Sequence, residues 1–327
     1  MVGLLTNGDT SRSINLLKLS EAKSTISQHI VYCFMQPDPR KSKFKINLDV
    51  VEAVITATAG RLYPSWEVHV ITNSDEAITR LGSHHNLRVI DYRDAPFSNR
   101  VERFKSSYIH QSVNDVEYEK FCMYRWIVIH EYFAYLQSRG VPVSYVLAAD
   151  SDLVIVSDPF LVDLKADWKG IESYMIVDGG LIMWSLQGLK HFSDFLLDVY
   201  KSKGNALMMV VEHGDTCDVC KENLSLLIPC IIKDSKPAMY HTSDMWWYVA
   251  FSGKNPEIRV RNRKFSDCGV IGIWSGNKYR FTRDGKEIMC NSDHLCVVHF
   301  NNIAKPFAIP FHHFLVGAEP EYVIDNF

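Results

Sequence analysis

Ser144–Ala149 is a short apolar run that stops at Asp150-Ser151-Asp152. A run of this kind reads as a buried strand. Two carboxylates on the C-terminal rim of a buried strand lose hydration and repel each other. A hard divalent cation relieves both costs, because Mg2+ and Mn2+ take oxygen ligands. The C-terminal edge of a parallel sheet is also where open α/β folds bind ligands. D-x-D is a short motif, and an exposed turn with two solvated aspartates is its plain alternative.

Other residues offer chemistry of the same kind. Arg125 lies beside the apolar stripe of a helix that leads into the acidic strand, where a guanidinium could reach a phosphate or a sugar hydroxyl. The alternative is a surface arginine with its stem packed on the sheet. Asp178-Gly179-Gly180 breaks two apolar runs, as a hairpin turn would, and its glycines allow backbone to approach a ligand closely. Asp244 stands beside Trp246 and Trp247, a set that suits a sugar acceptor because C–H faces stack on indole. Paired tryptophans are also ordinary core residues. His299 ends the apolar run Leu295–Phe300 and is followed by Lys305-Pro306. By residue type such a histidine is a core or edge residue, but a neutral imidazole can complete a mixed N/O metal shell.

The elements that must position these groups alternate. His29–Met35, Trp66–Thr72 and Leu87–Asp91 read as strands. Leu48, Val51, Val54 and Ile55 recur at helical spacing, and Asn73-Ser74-Asp75 reads as a helix cap. Asn114–Gln137 is the clearest helix, with Asn114 and Glu117 at capping-box spacing. Its apolar stripe is Phe121, Tyr124, Val128, Tyr132 and Leu136. Leu189–Tyr200 is a further amphipathic helix. Such alternation predicts a mostly parallel central sheet with helices on both faces. No internal repeat or linker divides the chain. We expect a polar N-terminal tail or leading helix over residues 1–28, a single domain over 29–312 and a C-terminal tail over 313–327.

The chain has 327 residues, 47% hydrophobic and 22% charged, with a net charge of −3. That is ordinary for a globular enzyme, and the absence of a basic block argues against nucleic acid as a partner. No apolar run approaches the ~20 residues that span a bilayer, and residues 1–28 lack the apolar core of a signal peptide. The expected compartment is the cytoplasm, although a Golgi-luminal enzyme cut free of its anchor would have the same composition. No G-x-G-x-x-G follows the first strand and no P-loop is present. Of the eight cysteines, Cys33 and Cys122 sit in apolar segments and read as core thiols. His213, Cys217, Cys220 and Cys230 have a zinc-like look with loose spacing; free thiols or one local disulfide are the alternatives.

Taken in order, Tyr124-Arg125, Asp150-Ser151-Asp152, Asp178-Gly179-Gly180, Asp244 and His299-x5-Lys305-Pro306-Phe307 resemble glycosyltransferase family 8, over roughly residues 29–312. The resemblance implies a GT-A fold and a nucleotide-diphosphate sugar donor, UDP-linked, used with Mn2+ or Mg2+. It also implies transfer of a hexose or pentose to a carbohydrate or glycoprotein acceptor, with retention. It implies that Asp150, Asp152 and His299 hold the metal. Lys305 and Asn302 would bind the donor, Arg125 the donor sugar or its phosphate, and Gly179 and Gly180 would line the sugar pocket. Asp178 and Asp244 are the candidate catalytic carboxylates, Arg125 is a third candidate catalytic residue, and Trp246 and Trp247 are the acceptor platform. Several positions depart from the family. Asp178 replaces an Asn, Asn302 a Gly, Phe307 a Trp and Met245 a Gln. The Tyr–Arg spacing is one residue shorter, and no acidic pair that would bind the base is visible in Met35–Arg40. A catalytically inactive carbohydrate-binding or scaffold module is the second reading, with Asp178 its best support. A sugar-phosphate nucleotidyltransferase is the third; it needs a Gly- and Arg-rich loop after the first strand, and Gln36–Lys45 has no glycine.

Overall fold

A computed structural model of the protein describes residues 28–38, 40–94, 98–110, 115–157, 173–177, 180–201, 244, 247–248, 251–252, 258–259, 270–273, 277–300, 302–317 and 319–325. Strand and helix alternate through the first part of the chain: β1 (Gln28–Cys33), α1 (Leu48–Leu62), β2 (Glu67–Thr72), α2 (Asp75–Leu81) and β3 (Leu87–Asp91). Two helices follow, α3 (Ser98–Ser107) and α4 (Val116–Ser138), then β4 (Tyr145–Ala149) and the short β5 (Leu153–Ile155). A hairpin of β6 (Ser173–Val177) and β7 (Leu181–Trp184) leads to α5 (Leu186–Val199) and later to β8 (Ile258–Arg259). These strands form a seven-stranded sheet in the order β3-β2-β1-β4-β7-β6-β8, outside which β5 lies. Within the sheet β7 alone runs against its neighbours. The expected mainly parallel α/β architecture is therefore what the chain adopts.

Both faces of the sheet are covered, so the strands are apolar on both sides, as a buried parallel sheet requires. Ile30, Tyr32 and Phe34 point to the α1 side, and Val31, Cys33 and Met35 to the side of α3, α4 and α5. Residue i and i+2 share a face in a strand, and the two cores follow that period. Cys33 and Cys122 are both buried, as core thiols. Helix α4 is buried around most of its circumference, because it is enclosed by the sheet, α3 and α5. Its cap differs from the sequence expectation. Asp115 accepts from the backbone N–H groups of Glu117 (3.0 Å) and Tyr118 (3.1 Å), and the helix opens at Val116. Asn114 lies outside the described residues. Ser74 caps α2 as expected, accepting from Ala77 N–H (3.2 Å).

The last third of the chain builds two smaller sheets. β9 (Val270–Ile273) and β13 (Val297–Phe300) join β5 in one, in the order β5-β13-β9. β10 (Tyr279–Asp284), β11 (Glu287–Cys290), β12 (Asp293–His294) and β14 (Glu321–Ile324) form the other. A 3-10 turn over Asn302–Phe307 and α6 (Ala308–Val316) connect β13 to β14. The segment expected as a tail is thus part of the fold. Phe314 is 0% and Ile324 1% exposed, and β14 pairs with β10 along its length. Four residues are too few for a legible alternation, so the strand does not stand out from its polar flanks. No helix among the described residues is long and apolar enough to cross a membrane.

Candidate active site

The acidic segment is a tight connection between β4 and β5. Asp150 N–H donates to Gly180 O (2.7 Å), and Leu153 N–H donates to Asp150 O (3.1 Å). β5 is then fixed from below by a buried polar network. Tyr32 donates its hydroxyl to Leu153 O (3.0 Å) and lies 2.7 Å from Thr58 Oγ1, which also accepts from Ile155 N–H (3.0 Å). Every polar atom of that network has a partner, which is what makes it affordable in a core. β13 runs antiparallel to β5 with His299 level with Leu153, and Phe300 N–H donates to Asp152 O (2.9 Å). This pairing carries the far end of the chain to the acidic segment. His299 Nε2 lies 3.3 Å from Asp152 Oδ1, and Lys305 Nζ 2.9 Å from Asp152 Oδ2.

Asp150 has a different partner. Arg125 Nη1 donates to Asp150 Oδ1 (2.5 Å) and Nη2 donates to Asp244 Oδ2 (2.7 Å). Trp126 Nε1 donates to the same Asp244 oxygen (3.1 Å), and the guanidinium sits 4.7 Å from the Trp126 ring. The Arg125 and Asp244 side chains are 11% and 7% exposed. These contacts place two expected site residues. Asp244 is buried and accepts two hydrogen bonds on Oδ2. Arg125, expected to reach a phosphate or a sugar hydroxyl, bridges two carboxylates.

The electrostatics follow from these contacts. Burial pushes the Asp150 carboxyl above its ordinary value, with Asp152 and Asp244 adding to the rise and Arg125 opposing it. Burial also acts upward on Asp152, but the hydrogen bond and charge of His299 and the charge of Lys305 hold its carboxyl at about 2. For His299 burial acts downward, and the bond to Asp152 outweighs it and raises the imidazole above its usual value. Three carboxylates thus meet two permanent cations, a balance with no positive surplus for an anionic ligand.

A divalent cation would supply that surplus, and the donor set has the right chemistry: two carboxylates and an imidazole. Gly180 leaves the space between them open. A Cβ there would stand 3.5 Å from both Asp150 Oδ2 and His299 Cε1, filling the gap. The three groups are not drawn together as a closed shell. Among the described residues, the three-residue group whose ligand atoms all lie within 4.8 Å of one another is elsewhere, at His29, Glu67 and His69.

A cavity of about 340 Å3 opens at the C-terminal ends of the neighbouring strands. Gln36 and Asp38 enter it from beyond β1, Asn73 from beyond β2, Tyr92 from beyond β3, and Tyr118 and Tyr124 from α4. Asn73 locks the first two together, its Oδ1 accepting from Gln36 N–H (2.8 Å) and its Nδ2 donating to Gln36 O (3.0 Å). Lys105 also lines the cavity and donates to the Tyr92 hydroxyl (2.6 Å). Sequence reasoning gave these residues no role at a binding site, apart from Tyr124 in the Tyr124-Arg125 pair. Their signal is position: most follow directly on an apolar strand run, at the rim where α/β sheets bind ligands.

The remaining expected site residues divide as follows. Gly180 and Lys305 are at the acidic segment. Asn302 opens the 3-10 turn that carries Lys305. Trp247 is fully buried and donates its indole N–H to the Tyr200 hydroxyl (3.0 Å), so it is a core residue and offers no face to an acceptor. Asp178, Gly179, Trp246, Met245, His213, Cys217, Cys220 and Cys230 lie outside the described residues.

No family model and no curated protein matches the sequence. Solved structures do. Mouse xyloside xylosyltransferase 1 superposes with a TM-score of 0.47 at 9% identity, over 85% of this chain and 98% of that one. The galactosyltransferase LgtC, in complex with donor and acceptor sugar analogues, gives 0.34 at 11% identity, over 73% and 99%. The glycosyltransferase GlyE of Streptococcus pneumoniae gives 0.34 at 12%, over 73% and 66%.

Proposed function

We propose that the protein is a glycosyltransferase that moves a hexose or pentose from a nucleotide-diphosphate sugar, UDP-linked, to a carbohydrate acceptor. The observation that carries this reading is the convergence on one acidic strand end of Asp150, Asp152, His299 and Lys305, beside a cavity of nucleoside size. A divalent cation, Mn2+ or Mg2+, held by Asp150, Asp152 and His299 would neutralise the diphosphate as it leaves. The residues themselves have separable tasks. Lys305, 43% exposed at its side chain, can turn from Asp152 to a phosphate oxygen. Arg125 holds Asp150 in place and offsets its charge. Gln36, Asp38 and Asn73 offer hydrogen bonds to a base or ribose, and the tyrosines of α4 offer a wall. The anomeric outcome carried by the family resemblance is retention, with Asp178 the candidate group near the anomeric carbon; NMR of the product anomer checks it.

One observation favours the second reading, an inactive carbohydrate-binding module: each carboxylate of the acidic pair already has a cationic partner without a metal, Arg125 at Asp150 and Lys305 at Asp152. Release of UDP from a panel of UDP-sugars with Mn2+ separates the two. Transfer or hydrolysis is expected in the wild-type protein and its loss in Asp150→Asn and in Asp152→Asn, both of which should remain folded. Full turnover by either variant at ordinary Mn2+ concentrations would remove the acidic pair from the mechanism.

A further inference from the structure

We propose that His29, Glu67 and His69 form a second, structural metal site, for zinc, on the rim of the sheet opposite the acidic segment. His29 lies near the start of β1, and Glu67 and His69 lie at i and i+2 on β2, so all three side chains share one sheet face. His29 pairs in register with Glu67 on one side and with Val146 on the other, whereas Asp150 lies beyond the last residue of β4. The two places are separated by roughly 13 Å of strand rise.

The three potential ligand atoms converge. His29 Nδ1 and His69 Nε2 are 3.0 Å apart, and they lie 3.4 and 3.3 Å from Glu67 Oε2. Zinc bonds of roughly 2.0–2.2 Å in tetrahedral geometry put neighbouring ligand atoms roughly 3.3–3.5 Å apart. The triangle needs only a small expansion to accept the ion. One polar atom is poorly satisfied without a metal: Glu67 Oε2 is buried, and the imidazoles facing it at 3.4 and 3.3 Å do not meet it in hydrogen-bond geometry. The other Glu67 oxygen is held by Arg88 Nε.

The atoms behind the ligands are arranged as a metal site requires. His29 Nε2 donates to Pro142 O (2.9 Å), which fixes its proton on Nε2 and leaves the Nδ1 lone pair facing inward. His69 Nδ1 lies 2.9 Å from the Tyr132 hydroxyl. Metal-binding histidines commonly give their second N–H to such acceptors. With both rings neutral and no metal, the His29 proton on Nε2 requires the His69 proton on Nε2, facing His29 Nδ1 at 3.0 Å. On binding the His69 proton moves to Nδ1, and the Tyr132 hydroxyl turns from donor to acceptor, so no proton is lost. Both histidines are 0% exposed, and Phe133 packs on both rings at 5.3 and 5.2 Å between centroids. Glu67 is 13% exposed, and water entering on that side would be the fourth ligand. Two imidazoles, one carboxylate and a water make a four-coordinate shell that suits zinc, and the full burial of both histidines leaves the ion joining strands rather than facing a cleft. The ion would tie β1 to β2 and to the α4–β4 connection at Pro142.

The test does not depend on transfer activity. Protein produced with zinc in the medium and freed of loose metal is assayed for zinc content, as wild type, Asp152→Asn, His29→Gln and His69→Gln. About one zinc per chain is expected in wild type and in Asp152→Asn, and loss of it in both histidine variants. Should those variants not fold, Tyr132→Phe and cobalt substitution decide. Tyr132→Phe should bind zinc roughly tenfold or more weakly. Cobalt in the wild-type protein should give visible d–d absorption without thiolate charge-transfer bands. Zinc that disappears in Asp152→Asn, zinc that survives both histidine replacements, thiolate bands on cobalt, or a wild-type chain that binds no zinc would each overturn the proposal.

Discussion

Arg125 stands between Asp150 and Asp244, and its removal would leave a buried carboxylate without its counter-charge. Breaking a buried pair by deleting one partner costs on the order of 3–5 kcal/mol. Arg125→Met is therefore expected to lower the stability of the fold by about that amount. Asp244→Asn should cost much less, because the amide oxygen still accepts from Trp126 and Arg125. Urea midpoints of the two variants measure this, and an unchanged midpoint for Arg125→Met would show that the bridge contributes nothing. Lys305 is the opposite case, exposed and reversible in its contact with Asp152. Lys305→Ala should leave the midpoint near wild type and weaken UDP binding by about 1.5–3 kcal/mol, the worth of a hydrogen bond to a charged group. Uridine should be little affected. Equal losses for uridine and UDP would mean that Lys305 acts through the local structure instead.

At the scale of elements, α4 sets the floor of the site and also holds a titratable group in its core. His130 lies on its inner face, 8% exposed, with Nδ1 3.1 Å from Arg100 Nη1. Burial, helped by the Arg100 charge, lowers its pKa to about 4. The folded value lies below the unfolded one, so the unfolded chain takes up a proton that the native state refuses as pH falls. This term costs nothing above about 6.5, grows as pH drops toward about 4 and then levels off. Stability of His130→Gln relative to wild type should therefore improve between those pH values; a constant difference would contradict the assignment. The same helix shows what sequence can carry. Its apolar stripe, and the alternation of β1, β2 and β3, are legible because burial imposes a period on residue type. The acidic strand end and its two chain-distant partners are legible because their types are unusual at the ends of apolar runs. The partnering of Arg125 with Asp244 is not, since it depends on tertiary placement across more than a hundred residues. The burial of Trp247 is illegible for the same reason, as an indole suits a core and a sugar equally well. The His29–Glu67–His69 cluster is half legible: Glu67-x-His69 puts two polar groups on one face of a strand, but only the register of β1 against β2 adds the third.

Across the whole molecule, the two small sheets act as a clamp that returns the end of the chain to the acidic segment. β13 carries His299, and the 3-10 turn carries Lys305. α6 packs against α1, and β14 closes the four-stranded sheet. Ile324 is buried in that closure, so Ile324→Ala should cost about 2–5 kcal/mol, as for other large-to-small core changes. A free tail would show no shift in the unfolding midpoint. The central claim is that this clamp and the end of β4 together make a cation-dependent diphosphate site. Calorimetric titration of UDP, with and without Mn2+, into wild type and Asp152→Asn tests it most directly. The account predicts binding by the wild type that requires Mn2+ and is lost in the variant. UDP binding of equal strength with and without Mn2+, or unchanged in Asp152→Asn, would contradict it.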